Sequence, residues 1–242
     1  MKPYVKSNKN DRLDAEAICE AVSRSRMRFV KIKTVAQQDI QAAHRIREEL
    51  VHQRTAKANQ IRGLVGEYGL VAPVGIGQLR AALPRWLEDA ENGLADAFRV
   101  LLAGLAEDLR HLDDRIDMVT ESIERHAHTD PLAKRLMTLR GVGIITASAL
   151  GDAQAFKRGR DFAASLGLTP RQHSTGGRDR LLGISKRGDS YLRTLLVHGA
   201  RAMVRYTGGK EDNLSHWFRQ LTERKHVNVA VIALANKTAR IA

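Results

Sequence analysis

The 242-residue sequence has almost no cysteine: Cys19 is the single thiol. That excludes an internal disulfide framework and any cysteine-based zinc cluster, and it points to a reducing compartment. Long apolar runs are also missing. No stretch reaches the roughly 18 uninterrupted apolar residues that a membrane span needs, and the opening Met1-Lys2-Pro3-Tyr4-Val5-Lys6 lacks an apolar signal core. A cytoplasmic protein is expected. Acidic residues are short as well, with 27 Asp and Glu against 40 Lys and Arg, a net charge of +13. Such a surplus implies a polyanionic partner. The cations are spread along the chain rather than gathered beside an amphipathic anchor, which favours nucleic acid over a membrane surface. What remains is ordinary for a folded chain: 43% hydrophobic and 28% charged residues, in a length that allows one or two domains.

Apolar spacing predicts a mainly helical fold. Leu13, Ala17, Ile18, Ala21 and Val22 give a helix from Asp11 to about Ser25. Arg28-Phe29-Val30-Lys31-Ile32-Lys33 then alternates polar and apolar residues, as a short strand with one buried face does. A long helix is predicted from Val35 to about Tyr68. From Leu94 to Ile123 a heptad-like seam runs through Phe98, Leu101, Leu105, Leu109, Leu112, Ile116 and Val119. The two long helices should form an antiparallel hairpin, either closing on each other as a bundle core or joining a second chain. Beyond His126-Ala127-His128 glycines and short motifs become frequent, and a boundary is placed there. Further helices are expected over 136–155 with a Gly-containing turn, then 160–166, 189–206, 211–224 and 227–241. The last of these shows no capping glycine.

Three motifs could carry chemistry. Leu136 to Ala147 fits a helix-hairpin-helix, in which Gly141-Val142-Gly143 bares backbone N–H groups to phosphate beside Arg140; it also fits a plain corner that uses glycine for backbone freedom. Asp11 and Asp14, three apart, share a helix face and could ligate Mg²⁺, or could simply serve as N-cap and first-turn acid. Gly167-Leu168-Thr169-Pro170-Arg171-Gln172-His173-Ser174-Thr175-Gly176-Gly177-Arg178 offers adjacent hydroxyls, flexible glycines and cations. That is a setting for nucleophilic attack on phosphate, and equally for a solvated turn. Downstream, Lys186, Arg187 and Arg193 stand in a Gly-marked basic turn that opens a helix, where phosphate contacts are plausible.

Taken together, Asn8-Lys9-Asn10-Asp11-Arg12-Leu13-Asp14-Ala15, Met27-Arg28-Phe29-Val30, Asn59-Gln60-Ile61-Arg62-Gly63-Leu64, Arg140-Gly141-Val142-Gly143 and the 167–174 segment resemble the Asp-Glu-Asp-Asp insertion-sequence transposases. These are the bridge-RNA-guided recombinases of the IS one-ten class, closest to its IS eleven-eleven branch. The resemblance implies a remnant of a RuvC-like nuclease domain over 1–33, a coiled-coil helical hairpin over 34–128 and a helical C-terminal transposase domain over 129–242. By resemblance, Asp11 and Asp14 match the last two acids of a Mg²⁺-binding quartet. The attacking serine falls at Ser174 or at Thr175, with Ser174 preferred. DNA, a guide RNA and a homo-oligomeric partner are implied.

This sequence departs from the family in one respect that bears on activity. No acid precedes Asp11, so the first Asp and the Glu of the quartet have no counterpart. A partial transposase with an incomplete metal site is therefore expected: a DNA-cleaving and strand-exchanging enzyme by descent, inactive by itself. The competing reading is a non-catalytic nucleic-acid-binding or helical oligomerisation remnant.

Overall fold

The structure is a computed structural model that describes residues 10–25, 27, 32–151, 156–174, 176–178, 180–207 and 211–242. It divides into two units, 1–33 and 34–242. Among the described residues there are ten helices and one two-stranded sheet, so the mainly helical expectation holds. No described helix is long and apolar enough to cross a membrane.

The first unit contains α1 (Asp11–Val22). Its N-cap is Asn10, not Asp11: the Asn10 side-chain oxygen accepts from the Arg12 N–H at 2.9 Å. Most of the strand expected over 28–33 lies outside the described residues. Ile32, inside that span, is 94% exposed and belongs to no strand.

The second unit opens with α2 (Val35–Gly66). Thr34 starts it with a reciprocal capping box: Thr34 Oγ1 accepts from the Gln37 N–H, and the Thr34 N–H donates to Gln37 Oε1. The helix extends about 48 Å at 1.5 Å per residue. After α3 (Ile76–Glu88), α4 (Asp96–Thr129) returns antiparallel along it. Leu102, Leu109, Ile116 and Ile123 are buried at strict seven-residue spacing. Leu105, Leu112 and Val119 interleave with them, half-buried. The predicted seam is thus correct except at its start, where Leu102 is fully buried and Leu101 is 64% exposed.

The facing surface of α2 is less apolar, and its cations find acceptors on α4. Lys57 Nζ donates to Asp108 at 2.9 Å, Arg54 to Asp113 at 3.3 Å, and Arg47 Nε to Thr120 Oγ1 at 2.8 Å. Charge pairing therefore fixes a register that Ala58, Ile61 and Val65 alone would leave loose. These three side chains form one core with Leu79 and Leu83 of α3 and Leu94, Leu102 and Leu109.

The return from α3 to α4 hangs on Arg99. Its guanidinium donates to the carbonyls of Trp86, Leu87, Asp89 and Leu94 and to Asn92 Oδ1, at 2.6–3.2 Å. Helix ends leave carbonyls without intrahelical partners, and a cation satisfies them best. Arg99→Met is expected to destabilise the chain by about 2 kcal/mol, because several partly buried carbonyls lose a charged donor. Urea unfolding checks this; a midpoint unchanged from wild type would show that water replaces the guanidinium.

The remaining elements are α5 (Pro131–Met137), α6 (Ile144–Leu150), α7 (Gly159–Ser165), β1 (Pro170–Gln172), β2 (Leu181–Ile184), α8 (Ser190–Thr207), α9 (Asn213–Arg224) and α10 (Val227–Ile241). They enclose a second core of Leu136, Phe162, Leu166, Leu196, Phe218, Val231 and Leu234, reached by Ala127 from the end of α4. In α10, Ala230, Ala235 and Ala239 are fully buried, and such small side chains let neighbouring backbones approach closely.

Candidate active site

The segment expected as a polar loop around Ser174 is built as a β-hairpin. β1 and β2 pair antiparallel, with Pro170 opposite Ile184 and Gln172 opposite Leu181. The ladder continues toward the tip, where the His173 N–H donates to the Arg180 carbonyl at 2.9 Å. Ser174 stands at that tip, exposed, and its Oγ accepts from Gln172 Nε2 at 3.0 Å. Gly176 and Gly177 turn the chain at φ +57° and +73°, the left-handed region that glycine adopts without strain. Thr175 lies outside the described residues.

The hairpin's base is fixed by an interlock of backbone. Gly167, just after α7, has φ +67°, and a Cβ placed on it would stand 2.2 Å from the Arg187 carbonyl oxygen. Gly188 has φ +90°, and a Cβ there would stand 1.7 Å from the Ser165 carbonyl oxygen. Neither position has room for any other residue. Around this contact, the Lys186 N–H donates to the Gly167 carbonyl and the Ser185 N–H to the Thr169 carbonyl, at 3.1 and 2.8 Å. Two side chains complete the anchorage. Arg193 from α8 donates to the Leu166 carbonyl at 2.9 Å, and Asn236 from α10 donates to the Leu168 carbonyl at 3.1 Å.

The cations named from sequence thus divide into two groups. Arg171, Arg178, Lys186 and Arg187 are exposed on or beside the hairpin, where Arg180 joins them, a residue the sequence reading passed over. Arg193 faces inward to the α7 terminus. Arg140 is also engaged within the protein, donating at 2.8 Å to Asp212, the N-cap of α9. The Arg140 hydrogen bond, with two more from Ser215, holds the Asp212 carboxyl well below the usual carboxylate range. Gly141 is used for packing: its φ is +77°, and a Cβ on Gly199 of α8 would stand 1.8 Å from the Gly141 carbonyl oxygen. Gly143 is the exposed N-cap of α6.

Asp11 and Asp14 occupy the first turn of α1 in the other unit, where negative charge complements the helix dipole. Among the described residues no three His, Cys, Asp or Glu side chains gather as metal ligands. Asp11 and Asp14 are hard oxygen donors of the kind Mg²⁺ takes, an ion commonly held by one or two carboxylates with water and substrate phosphate completing its octahedron.

A basic, mainly helical chain with a rigidly anchored hydroxyl among cations has the features of a protein that handles nucleic acid. Comparison with known proteins defines the class. The Transposase IS116/IS110/IS902 family profile matches residues 133–215, the region of the hairpin and α8, and a second profile, described as a transposase, matches residues 1–69. The chain is 49% identical to a probable family 20 transposase of Pseudomonas aeruginosa, over all of this chain and 73% of that relative. It is 47% identical to the transposase for insertion sequence element IS1111A of Coxiella burnetii, over all of this chain and 67% of the relative. It is 43% identical to the transposase for insertion sequence element IS1328 of Yersinia enterocolitica, again over all of this chain and 73% of the relative. The chain belongs to the IS116/IS110/IS902 transposase family.

Proposed function

We propose that Ser174 is the nucleophile of this insertion-sequence transposase, and that its hairpin delivers the hydroxyl to a DNA phosphate. The observation that carries this reading is the interlock of Gly167 with Gly188, which gives an exposed hydroxyl a rigid base. In the step proposed, Ser174 Oγ bonds to a DNA phosphorus and a bond from that phosphorus to a sugar oxygen breaks. The hydroxyl proton ends on the leaving oxygen. Attack by a new strand end then reverses the sequence and releases the serine. Arg171, Arg178, Lys186 and Arg187 hold the phosphate charge, while Arg140, Gly141 and Arg193 keep the surrounding elements in place.

Membership of the family carries DNA binding and suggests dependence on a divalent metal ion. We assign Asp11 and Asp14 to part of that site, in a RuvC-like segment over 1–33. The helical pair over 34–128 is read as a coiled-coil homo-oligomerisation arm, because Val100, Leu101 and Met118 of α4 leave apolar surface exposed. The helix-hairpin-helix and the serine hairpin belong to the 129–242 part. A guide RNA completes the assembly.

An electrophoretic shift with duplex DNA and structured RNA across a salt series, with and without Mg²⁺, tests these statements. Affinity should fall steeply with salt as neutralised phosphates release counterions. Arg171→Ala and Arg178→Ala should each lower the slope of log affinity against log salt by about 1. Ser174→Ala should leave affinity within about twofold, as a nucleophile rather than a phosphate anchor. Flat salt dependence would refute the binding reading. Mg²⁺-dependent nicking that Asp11→Ala leaves unchanged would refute the assignment of Asp11 to the metal site.

A further inference from the structure

A groove of about 920 Å³ lies beside the serine hairpin, between β1 and β2 on one side and α9 and α10 on the other. Its volume is in the range of pockets that bind organic ligands. Pro170, Ile184, Ile232 and Ala233 form apolar walls. Its other character comes from Trp217, Lys237 and Arg240: Lys237 Nζ lies 4.3 Å from the centre of the Trp217 ring, and Arg240 stands at the exposed end of α10. Among the described residues that line it there is no Asp or Glu.

We propose that this groove receives an unstacked base of single-stranded DNA, next to the phosphodiester presented to Ser174. The proposal rests on the hairpin reading above, because the groove matters through its position. Pro170 forms part of its wall, and Ser174 is four residues farther along the chain, just beyond β1, at most about 13 Å at the rise of an extended chain. That distance corresponds to roughly two nucleotides of extended single strand.

The chemistry of the lining selects the ligand. Apolar walls with no anionic group disfavour a cation and a purely polar ligand alike. An isolated base offers a flat, weakly hydrated face, and it is tied to a phosphate that needs a cation within a few ångströms. The Lys237 ammonium lies over the Trp217 face, and its flexible stem lets it move from the ring to the phosphate as a base takes its place, since aromatic rings take bases by stacking and lysine takes the phosphate. Paired bases cannot enter, because stacking and pairing keep their faces inside the duplex. The groove is therefore specific for strands that have been opened, the state in which a strand-exchanging protein meets its DNA.

The test uses the 242-residue chain carrying Trp86→Phe, so that Trp217 is the single indole. An oligonucleotide of eight thymidines is titrated, and a self-complementary duplex of equal length serves as the comparison. The single strand should quench Trp217 fluorescence and the duplex should not. Ala233→Phe, which fills the groove from its wall, should weaken single-strand affinity by about tenfold, the effect of losing one stacked base. Duplex affinity should change less than twofold, and an unchanged circular dichroism spectrum confirms the fold. In the chain with both native tryptophans, Trp217→Ala should weaken the single strand by a similar factor. Single-strand binding that neither quenches Trp217 nor responds to Ala233→Phe would overturn the proposal while leaving the hairpin reading intact. So would Ala233→Phe converting a dimer to a monomer in sedimentation with single-strand affinity unchanged, since the groove would then hold a second copy of the chain. Loss of salt-sensitive binding to both DNAs in the unsubstituted chain would instead refute the reading on which the proposal rests.

Discussion

Gly188→Ala should lower the melting temperature of the chain by about 6–12 °C, the shift that about 3 kcal/mol produces in a protein of this size. Two costs combine. An alanine at φ +90° sits in a backbone region that L-residues disfavour by about 1–3 kcal/mol. Its methyl group would also stand 1.7 Å from the Ser165 carbonyl oxygen, a backbone atom that no rotamer change can move aside. Relief requires the turn at 186–188 to withdraw from the end of α7, and that movement breaks the hydrogen bonds from Lys186 to Gly167 and from Ser185 to Thr169. The hairpin would lose its base, so Gly188→Ala should also remove any reaction at Ser174 while leaving its exposed arginines free to bind DNA. Gly183→Ala is the control. Its φ is not positive and an added Cβ meets no atom within 4 Å, so thermal unfolding should be nearly unchanged. A Gly188→Ala protein that melts within 1 °C of wild type would show that the interlock is pliable.

Most of the helices were legible because their signals are local. The Val35 start, the seam on α4 and the starts of α7, α8, α9 and α10 follow from apolar spacing and from capping residues a few positions away. The seam's entry point was misplaced by one residue because Leu101 and Leu102 are adjacent and spacing alone does not choose between them. The choice is made by α2 and α3, which cover Leu102. The N-cap at Asn10 was taken for Asp11 since either residue type serves, and only the backbone geometry separates them.

The hairpin that carries the candidate residues was not legible in its shape. Ser174 and its cations lie close together in sequence, but β1 and β2 are three and four residues long, too short for a period of two to stand out. What makes them a hairpin is distant: Arg193, Asn236 and the two clashing glycines tie Leu166, Gly167 and Leu168 to α8, α10 and the 186–188 turn. Arg193 reads from sequence as one more phosphate contact, and the carbonyl it serves lies 27 positions upstream. The groove beside Trp217 is assembled from four separate stretches of chain, so no single motif signals it.

Acidification should destabilise the chain between about pH 6.5 and pH 4, and His44 should account for one proton of that dependence. His44 is on α2 and only 4% exposed. Its Nδ1 lies 2.9 Å from the Tyr191 hydroxyl of α8, and its Nε2 lies 3.1 Å from Ser148 Oγ of α6. Burial first, then the charges of Arg47 and His126, lower its pKa from 6.5 to about 4. Burial acts on Tyr191 in the opposite sense and raises its phenol. The folded state therefore keeps His44 neutral where the unfolded chain takes up a proton. Stability is complete above about pH 6.5, declines as pH falls toward 4 and levels off below it. The slope approaches 1.4 kcal/mol per pH unit, for a total on the order of 3 kcal/mol. Urea unfolding of wild type and His44→Gln at pH 7.5, 5.5 and 4.5 isolates the contribution from the other eight histidines. The glutamine variant should be weaker by about 1–3 kcal/mol at pH 7.5, because half-buried Tyr191 and buried Ser148 lose a well-placed partner, and the two curves should converge toward pH 4. Parallel curves would show that His44 titrates alike in both states. The location gives this histidine its consequence: it is a polar link between the long helical pair and α6 and α8, where Arg47 also bonds Tyr191, and α8 begins two residues after Gly188. Protonating His44 in the folded chain would leave a charge beside Arg47 in a site built for a neutral ring. The strain would fall on Tyr191, in the first turn of the helix that supports the base of the serine hairpin.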